Sequence, residues 1–371
     1  MSRPDGRDQA TASTVSTVSI TPLTGIPEVR DGDSLAEVVE AGLSASGLAL
    51  EAGDIIVVSS KVASKSLGLV THDPNKDRVV ASETEYVVAE RALAGRVTRI
   101  VRSKAGPVMA AAGVDGSNTG EHGGWLLLPH DPDAVCERLR DELVRRHGVR
   151  LGVILSDTSG RPWRIGQVDF ALGVHGVRAT DDLRGGTDAD GRRLEVTTRA
   201  VADEIASAAD LAKGKVHGVP AAVVRGLGRF VPASADPSAP RGRDLVRAGP
   251  DDWFGYGRVE AVRAALGVEP GTPDAETVGI PPTSRSDSSR LDAVGRAVRV
   301  ALHAVGSGTA DVGPRSVTLG ADTPYELGRL VARLEAALWS EWLHGSAGEP
   351  SADGRAVVVT VDAAPSRHPR P

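Results

Sequence analysis

The sequence predicts a mixed α/β fold with a small α/β module at its C-terminal end. Two compact Val/Ile-rich runs, DIIVVS at 54–59 and VRLGVILS at 149–156, are bounded by glycine or charge, as buried strands are. Helical patterns fall between such runs. Composition then turns Pro/Ser/Thr-rich over 267–290, and a second, shorter pattern of helices and a strand follows.

The chain has 371 residues. At about 100–200 residues per domain this predicts two domains, or one large domain with an appendage. The expected organisation is a disordered tail over 1–15, a main domain over 16–265, a linker over 266–290 and a small module over 291–371. A first strand is expected over 15–20, then a helix over 34–46 with Asp33 as N-cap. A helix over 133–147 follows Asp131-Pro132 and stops at Gly148. Another over 198–213 carries Val201, Ile205, Ala209 and Ala212 on one face and leads to a strand over 219–224. Gly-rich stretches at 111–128 and 157–192 read as long loops, so strand and helix do not alternate cleanly. In the module, a helix over 291–305 shows a Leu291, Val294, Val298, Leu302, Val305 stripe. A second helix opens with a Thr323–Glu326 capping box, and a strand over 356–361 closes the pattern.

Composition excludes several function classes. Net charge is −6 with no basic run, a poor match to nucleic-acid binding. No run of 18 apolar residues and no secretory h-region occurs, so neither a membrane span nor export is expected. The single cysteine, Cys136, forms no internal disulfide and no Cys-based zinc site. A reducing cytoplasm is the expected compartment. Markers of the Walker loop, GxGxxG, HExxH and GxSxG are absent. His122, His130, His175 and His217 are scattered without zinc-ligand spacing, and His175 is the one within an apolar strand-like stretch.

Four segments could carry chemistry. In VVSSKVASKSLG at 57–68, a strand ends in Ser59 and Ser60 and continues to Lys61, Ser64 and Lys65, groups suited to phosphate oxygens; a solvated polar loop is the plainer alternative. In AAGVDGSNTG at 111–120, Asp115 and Asn118 sit in a Gly-rich loop, where a carboxylate suits a hard cation or makes an Asx turn. In SDTSGRPWRIGQVDFALG at 156–173, Asp157 and Thr158 follow a strand end, where α/β enzymes hold metal or ligand. Beyond them Arg161, Trp163, Arg164 and Gln167 crowd a loop, as an anion clamp or a structural Arg/Trp stack. In 183–215, Arg184, Asp188 and Arg192 precede a helix bearing Asp203, Glu204 and Asp210, at least one of them on a solvated face. Two carboxylates, two lysines and an arginine pair, with no activated nucleophile, suit phosphoryl transfer without a covalent enzyme intermediate.

These motifs, in this order, resemble the coenzyme F420-0:L-glutamate ligase (γ-glutamyl ligase) family over roughly 16–265. The matching segments are PLTGIPEVRDGD (22–33), GDIIVVSSKVASKSLG (53–68), AAGVDGSN (111–118), LLLPHDPD (126–133), the 156–173 segment, the 183–215 segment and VPAAVVRGLG (219–228). The resemblance implies a ligase-like α/β fold without a Walker loop and an intertwined homodimer. It implies GTP as co-substrate, Mg²⁺ or Mn²⁺, and K⁺ as a further cation. The γ-phosphate would activate the terminal carboxylate of F420-0 as an acyl phosphate for attack by L-glutamate, and some members add further glutamates. Ile26, Pro27, Glu28, Val29, Ser60, Lys65 and Asn118 match GTP contacts. Asp115, Asp157 and Thr158 match metal ligands, and Asp115, Asp157 and Lys65 are the expected catalytic groups. Two departures stand out. Lys215 occupies a glycine-flanked position that is acidic in archaeal relatives. The residues after 265 are too few for the flavin-binding domain fused to mycobacterial relatives, so no flavin is expected. Two rivals share these motifs: a paralogue ligating another amino acid or a phosphorylated acid, separable by substrate trials, and a GTP-binding regulatory protein with a lapsed site, which would release no GDP.

Overall fold

The computed structural model describes residues 17–363 except 94, 121–122, 216, 235–237, 248–251, 253, 255–256 and 283–287. The tail over 1–15 and His122 lie outside the described residues. The chain divides into two compact units, one of residues 1–74 with 115–246, the other of 75–114 with 247–371.

The first unit opens with β1 (Ser19–Pro22), α1 (Leu35–Ala45), β2 (Ile55–Ser59), α2 (Ser60–Ser66) and β3 (Val70–Thr71). The chain then enters the second unit with α3 (Lys76–Ser82), β4 (Thr84–Leu93), β5 (Arg96–Ser103) and β6 (Val108–Ala110). It returns to the first with β7 (Trp125–Leu126), α4 (Pro132–His147), β8 (Gly152–Arg161), β9 (Arg164–His175), β10 (Asp181–Asp182), β11 (Thr198–Arg199), α5 (Val201–Lys213) and β12 (Ala221–Arg225). The second unit resumes with α6 (Arg258–Ala265), α7 (Pro273–Val278), α8 (Arg290–Leu302), β13 (Thr309–Val312), β14 (Ser316–Gly320), α9 (Pro324–Ser340), β15 (Leu343–Ala347) and β16 (Ala356–Ala363). The architecture is mixed α/β, as the sequence predicts.

The first unit is built on a five-stranded sheet of order β1-β12-β2-β8-β9, in which β2 and β8 are the one parallel pair. Strand β2 is buried from Ile55 to Val58 without alternation, because both faces of a central strand are covered. Ile55, Val57 and Ile154 pack with Val201, Ile205 and Ala209 of α5, while α4 lies against β8 and β9. Helix α4 has the expected punctuation: Asp131 caps Ala134 N–H at 3.1 Å, Pro132 stands in the first turn, and Gly148 ends it at φ 67°. Its fully buried Asp133 accepts from the N–H groups of Val174 at 2.8 Å and Gly242 at 2.9 Å, tying helix, strand and a later loop together.

Two local expectations are corrected. The cap of α1 is Ser34, which accepts from Glu37 N–H, whereas Asp33 accepts from Arg30 N–H at 2.7 Å. The loop read over 157–192 is, as far as His175, the β8–β9 hairpin. It was missed because its outer part faces water on both sides and so lacks a hydrophobic alternation. Its tip turns at Pro162 and Trp163, the latter at φ 56°.

In the second unit, β13-β14-β16-β15 form an antiparallel sheet. Val357, Val359 and Val361 of β16 point into a core shared with Val294 and Val298 of α8 and Leu330, Leu334 and Leu338 of α9. Thr323 caps α9 through Glu326 N–H at 3.2 Å, as expected. The expected stripe on α8 ends at Leu302, and Leu291 is exposed. The β4-β5-β6 meander belongs to the same unit, where Glu90 pairs with Arg99 at 3.2 Å. Among the described residues no helix is long and apolar enough to cross a membrane.

Candidate functional site

Strand β2 passes directly into α2, and parallel β8 runs beside it with Ser156 opposite Ser59. The next residues therefore meet at the carboxyl ends of the two strands: Ser60 Oγ donates to Asp157 Oδ1 at 2.8 Å. Lys61 pairs with Asp115 at 2.6 Å. Asp115 also accepts from Ser117 N–H at 2.8 Å, so the Asx turn expected of its loop does form. Consecutive residues of α2 thus hold the two acids that the sequence singled out. One turn on, Lys65 pairs with Glu28. Gly120 passes beside that pair at φ 72°, a conformation that favours glycine.

Glu28, Lys61, Lys65, Gly120 and Asp157 border a cavity of about 440 Å³ in the first unit. Ile26, Pro27, Glu28 and Val29 line one stretch of it, and Lys65, Asn118, Asp157 and Thr158 line others. Asn118 sits at φ 55°, which asparagine tolerates better than most residues. Ser60 is buried behind the wall, and Asp115 is linked to the lining residue Lys61. Asp210, Lys213 and Lys215 also line the cavity.

The structure adds a polar network that sequence reasoning missed. Lys213, the last residue of α5, is buried and pairs with Asp169 of β9 at 2.8 Å. It also donates to Ser156 Oγ at 2.8 Å. The other oxygen of Asp169 accepts from Thr158 Oγ1 at 2.6 Å, and Lys215 Nζ donates to the same Thr158 hydroxyl. Thr158 and Asp169 are cross-strand neighbours, so the hairpin register could have revealed the contact.

Burial pushes the Asp157 carboxyl up to about 6, against the opposing bonds from Ser60 and the Thr158 N–H. Burial also acts to raise Asp169, but the Lys213 ammonium outweighs it and holds that carboxyl below its ordinary value. At Asp115 burial is likewise outweighed, here by Lys61 and Ser117.

Other candidates lie elsewhere. Arg161, Trp163, Arg164 and Gln167 occupy the exposed hairpin tip, and none of them lines the cavity. Arg184 pairs with Asp182 at 2.6 Å on the surface. Asp203 accepts from Ala171 N–H at 2.9 Å, and Glu204 pairs with Arg199 at 2.7 Å. His175 ends β9, its pKa lowered chiefly by burial. In the second unit a cavity of about 470 Å³ includes Arg296 and Arg299, but these are committed to Glu341 and to the Val278 carbonyl.

The donor set fits a hard divalent cation. Asp157 and Thr158 present oxygen to the cavity, while Asp115 stands outside its lining, paired with Lys61. Among the described residues no three His, Cys, Asp or Glu side chains form a ready-made cage. Mg²⁺ is usually held by one or two carboxylates with substrate phosphates and water supplying the rest.

Comparison with known proteins gives concordant matches. The model of the F420-0:gamma-glutamyl ligase family matches residues 25–72 and 67–226. A coenzyme F420:L-glutamate ligase of Archaeoglobus fulgidus is 40% identical over 225 residues, covering 57% of this chain and 88% of that protein. Proteins of the same name from Haloarcula marismortui and Methanothermobacter thermautotrophicus are 38% and 36% identical, covering 54% and 56% of this chain and 84% and 89% of their own.

Proposed function

The chain belongs to the F420-0:γ-glutamyl ligase family, and on that premise we propose that it uses GTP and a divalent cation to join L-glutamate to the terminal carboxylate of coenzyme F420-0. It is a ligase, and its role lies in coenzyme F420 biosynthesis. The observation that carries the finer reading is the cavity wall. It combines a half-buried carboxylate, Asp157, with the ammonium groups of Lys61, Lys65, Lys213 and Lys215, and among the described residues it offers no activated nucleophile. Ser60 is engaged with Asp157, and burial holds the Cys136 thiol protonated.

Such a wall handles phosphate charge and leaves bond making to the substrates. The carboxylate of F420-0 attacks the γ-phosphorus, GDP departs, and an acyl phosphate forms. The glutamate amine then attacks the acyl carbon, and phosphate leaves as the amide forms. Lys61 and Lys65 are held by Asp115 and Glu28 and can exchange those partners for phosphate oxygens. Ile26 to Val29 and Asn118 line the cavity and would contact the nucleotide. Asp157, Thr158 and Asp115 would hold Mg²⁺ or Mn²⁺, which neutralises phosphate charge and orients the triphosphate.

The test is mass spectrometry after the chain is incubated with F420-0, GTP, Mg²⁺ and L-glutamate. The expected product is F420-0 heavier by one glutamyl unit, with GDP released. GTP binding without either product would favour a regulatory protein, and product with another amino acid alone would favour a paralogous ligase.

We also propose that the chain acts as a homodimer. The exposed apolar side chains of Trp163 and Ile165 at the hairpin tip support this reading, since such groups commonly mark protein contacts. Sedimentation should give twice the chain mass of 38.4 kDa. The double variant Trp163→Asp with Ile165→Asp should sediment as monomer; a native chain already monomeric at working concentration would refute the proposal.

A further inference from the structure

We propose, resting on the ligase reading of the cavity, that the end of α5 forms the subsite for the incoming amino acid, with Lys215 taking one of its carboxylates and Asp210 its ammonium group. Most charged groups at the cavity wall already have a partner. Lys61 pairs with Asp115 at 2.6 Å, Lys65 with Glu28, and Lys213 with Asp169 at 2.8 Å. Asp157 accepts from Ser60 Oγ at 2.8 Å. Two lining groups differ. Lys215 has no carboxylate partner among the described residues and donates only to the neutral hydroxyl of Thr158. The carboxylate of Asp210 makes no hydrogen bond or ion pair among the described residues.

The backbone sets these two groups on either side of the helix end. Helix α5 stops at Lys213, and Gly214 leaves it at φ 64° with its N–H bonded to the Asp210 carbonyl at 2.9 Å. Asp210 therefore stands in the last turn and Lys215 just beyond it, both on the cavity wall. A carboxylate in the last turn opposes the helix dipole, whose negative end favours cations. Lys213, the basic residue of that turn, is engaged with Asp169 and Ser156 instead. A local preference broken without compensation inside the chain marks a place where a ligand supplies it.

An α-amino acid supplies both missing partners in one molecule. Its ammonium group can only donate and suits Asp210, and its carboxylates can only accept and suit Lys215. A charged acceptor makes a stronger bond than a neutral one, so Lys215 exchanges the Thr158 hydroxyl for the carboxylate and leaves that oxygen free. Lys215 is exposed, so the exchange does not disturb the core. With Ile26 to Val29, Asn118, Lys61 and Lys65 given to the nucleotide, the end of α5 is the stretch of lining left for the attacking amine.

Steady-state ligation by the full chain tests the subsite, with L-glutamate varied at saturating GTP, Mg²⁺ and F420-0 and thermal unfolding as the check on folding. Lys215→Met and Asp210→Ala should each raise the KM for L-glutamate by about 10–100-fold, the loss typical of one hydrogen bond to a charged group, and leave the KM for GTP at its wild-type value. L-Glutamine, which lacks the side-chain carboxylate, separates the two carboxylates open to Lys215. If Lys215→Met loses the wild-type preference for glutamate over glutamine, Lys215 holds the side-chain carboxylate; if the preference persists at a raised KM, it holds the α-carboxylate. An unchanged KM for L-glutamate in either folded variant would overturn the subsite and leave the ligase reading intact. A raised KM for GTP alone would overturn it too, and give Lys215 to a phosphate. If Asp210→Ala does not fold, Lys215→Met decides. A wild-type chain that forms no product would sink the ligase reading, and saturation-transfer NMR of L-glutamate with the chain then judges the subsite. A signal lost in Lys215→Met supports it; a signal that persists there, or is missing from the wild type, overturns it.

Discussion

Asp157→Asn should leave a folded chain whose ligation is slower by about 10²–10³-fold, the loss typical when one fixed electrostatic contact to developing charge is removed. The substitution is nearly isosteric, and asparagine can still accept the Ser60 hydroxyl bond that holds Asp157 at 2.8 Å. What disappears is charge at the strand end, where a cation and a phosphoryl group would meet. Stability should move the other way. The folded carboxyl sits at about 6, above its ordinary 3.8. Between those values the native state holds more protons than the unfolded chain, so wild-type stability falls as pH rises through that window. The asparagine variant has no such term. Its melting temperature should therefore gain on wild type between pH 4 and pH 7 in metal-free buffer. A folded variant with near-normal turnover would remove Asp157 from the mechanism, and a variant that loses ground with rising pH would show that its carboxylate is well compensated.

The parts of the site legible in the sequence are those on which local chemistry is written in adjacent residues. The strand ending in Ser59-Ser60-Lys61 and the strand ending in Ser156-Asp157-Thr158 could both be read from short apolar runs that give way to polar groups. Their side-by-side placement follows from one parallel pairing, β2 with β8. Ile26 to Val29 came only through resemblance, since nothing in their own composition marks them as ligand-binding. Asp169 and Lys213 stayed hidden for a different reason. Each looks ordinary in its local window, one acid in a β-strand and one lysine in the last turn of a helix, and only the tertiary contact between α5 and β9 makes them a pair. The hairpin itself was obscured because its solvated tip carries no apolar period. Likewise the joining of 75–114 with 247–371 in one unit depends on long-range contacts that no local pattern records.

Lys213→Met should be the most damaging single change to the stability of the first unit, about 3–5 kcal/mol, as expected when one partner of a buried ion pair is deleted. The side chains of Lys213 and Asp169 are 3% and 5% exposed, so water cannot take over solvation of the abandoned carboxylate. The loss is structural as well as electrostatic, because Lys213 links α5 to Ser156 of β8 and Asp169 of β9. Urea unfolding followed by circular dichroism should show the midpoint lowered accordingly. Adding Asp169→Asn should return most of it, since the buried charge then disappears with its partner and the methionine stem still fills the space. That asymmetry separates a true buried pair from two polar groups that merely lie close: additive losses in the double variant would mean that each side chain stabilises the unit through other contacts.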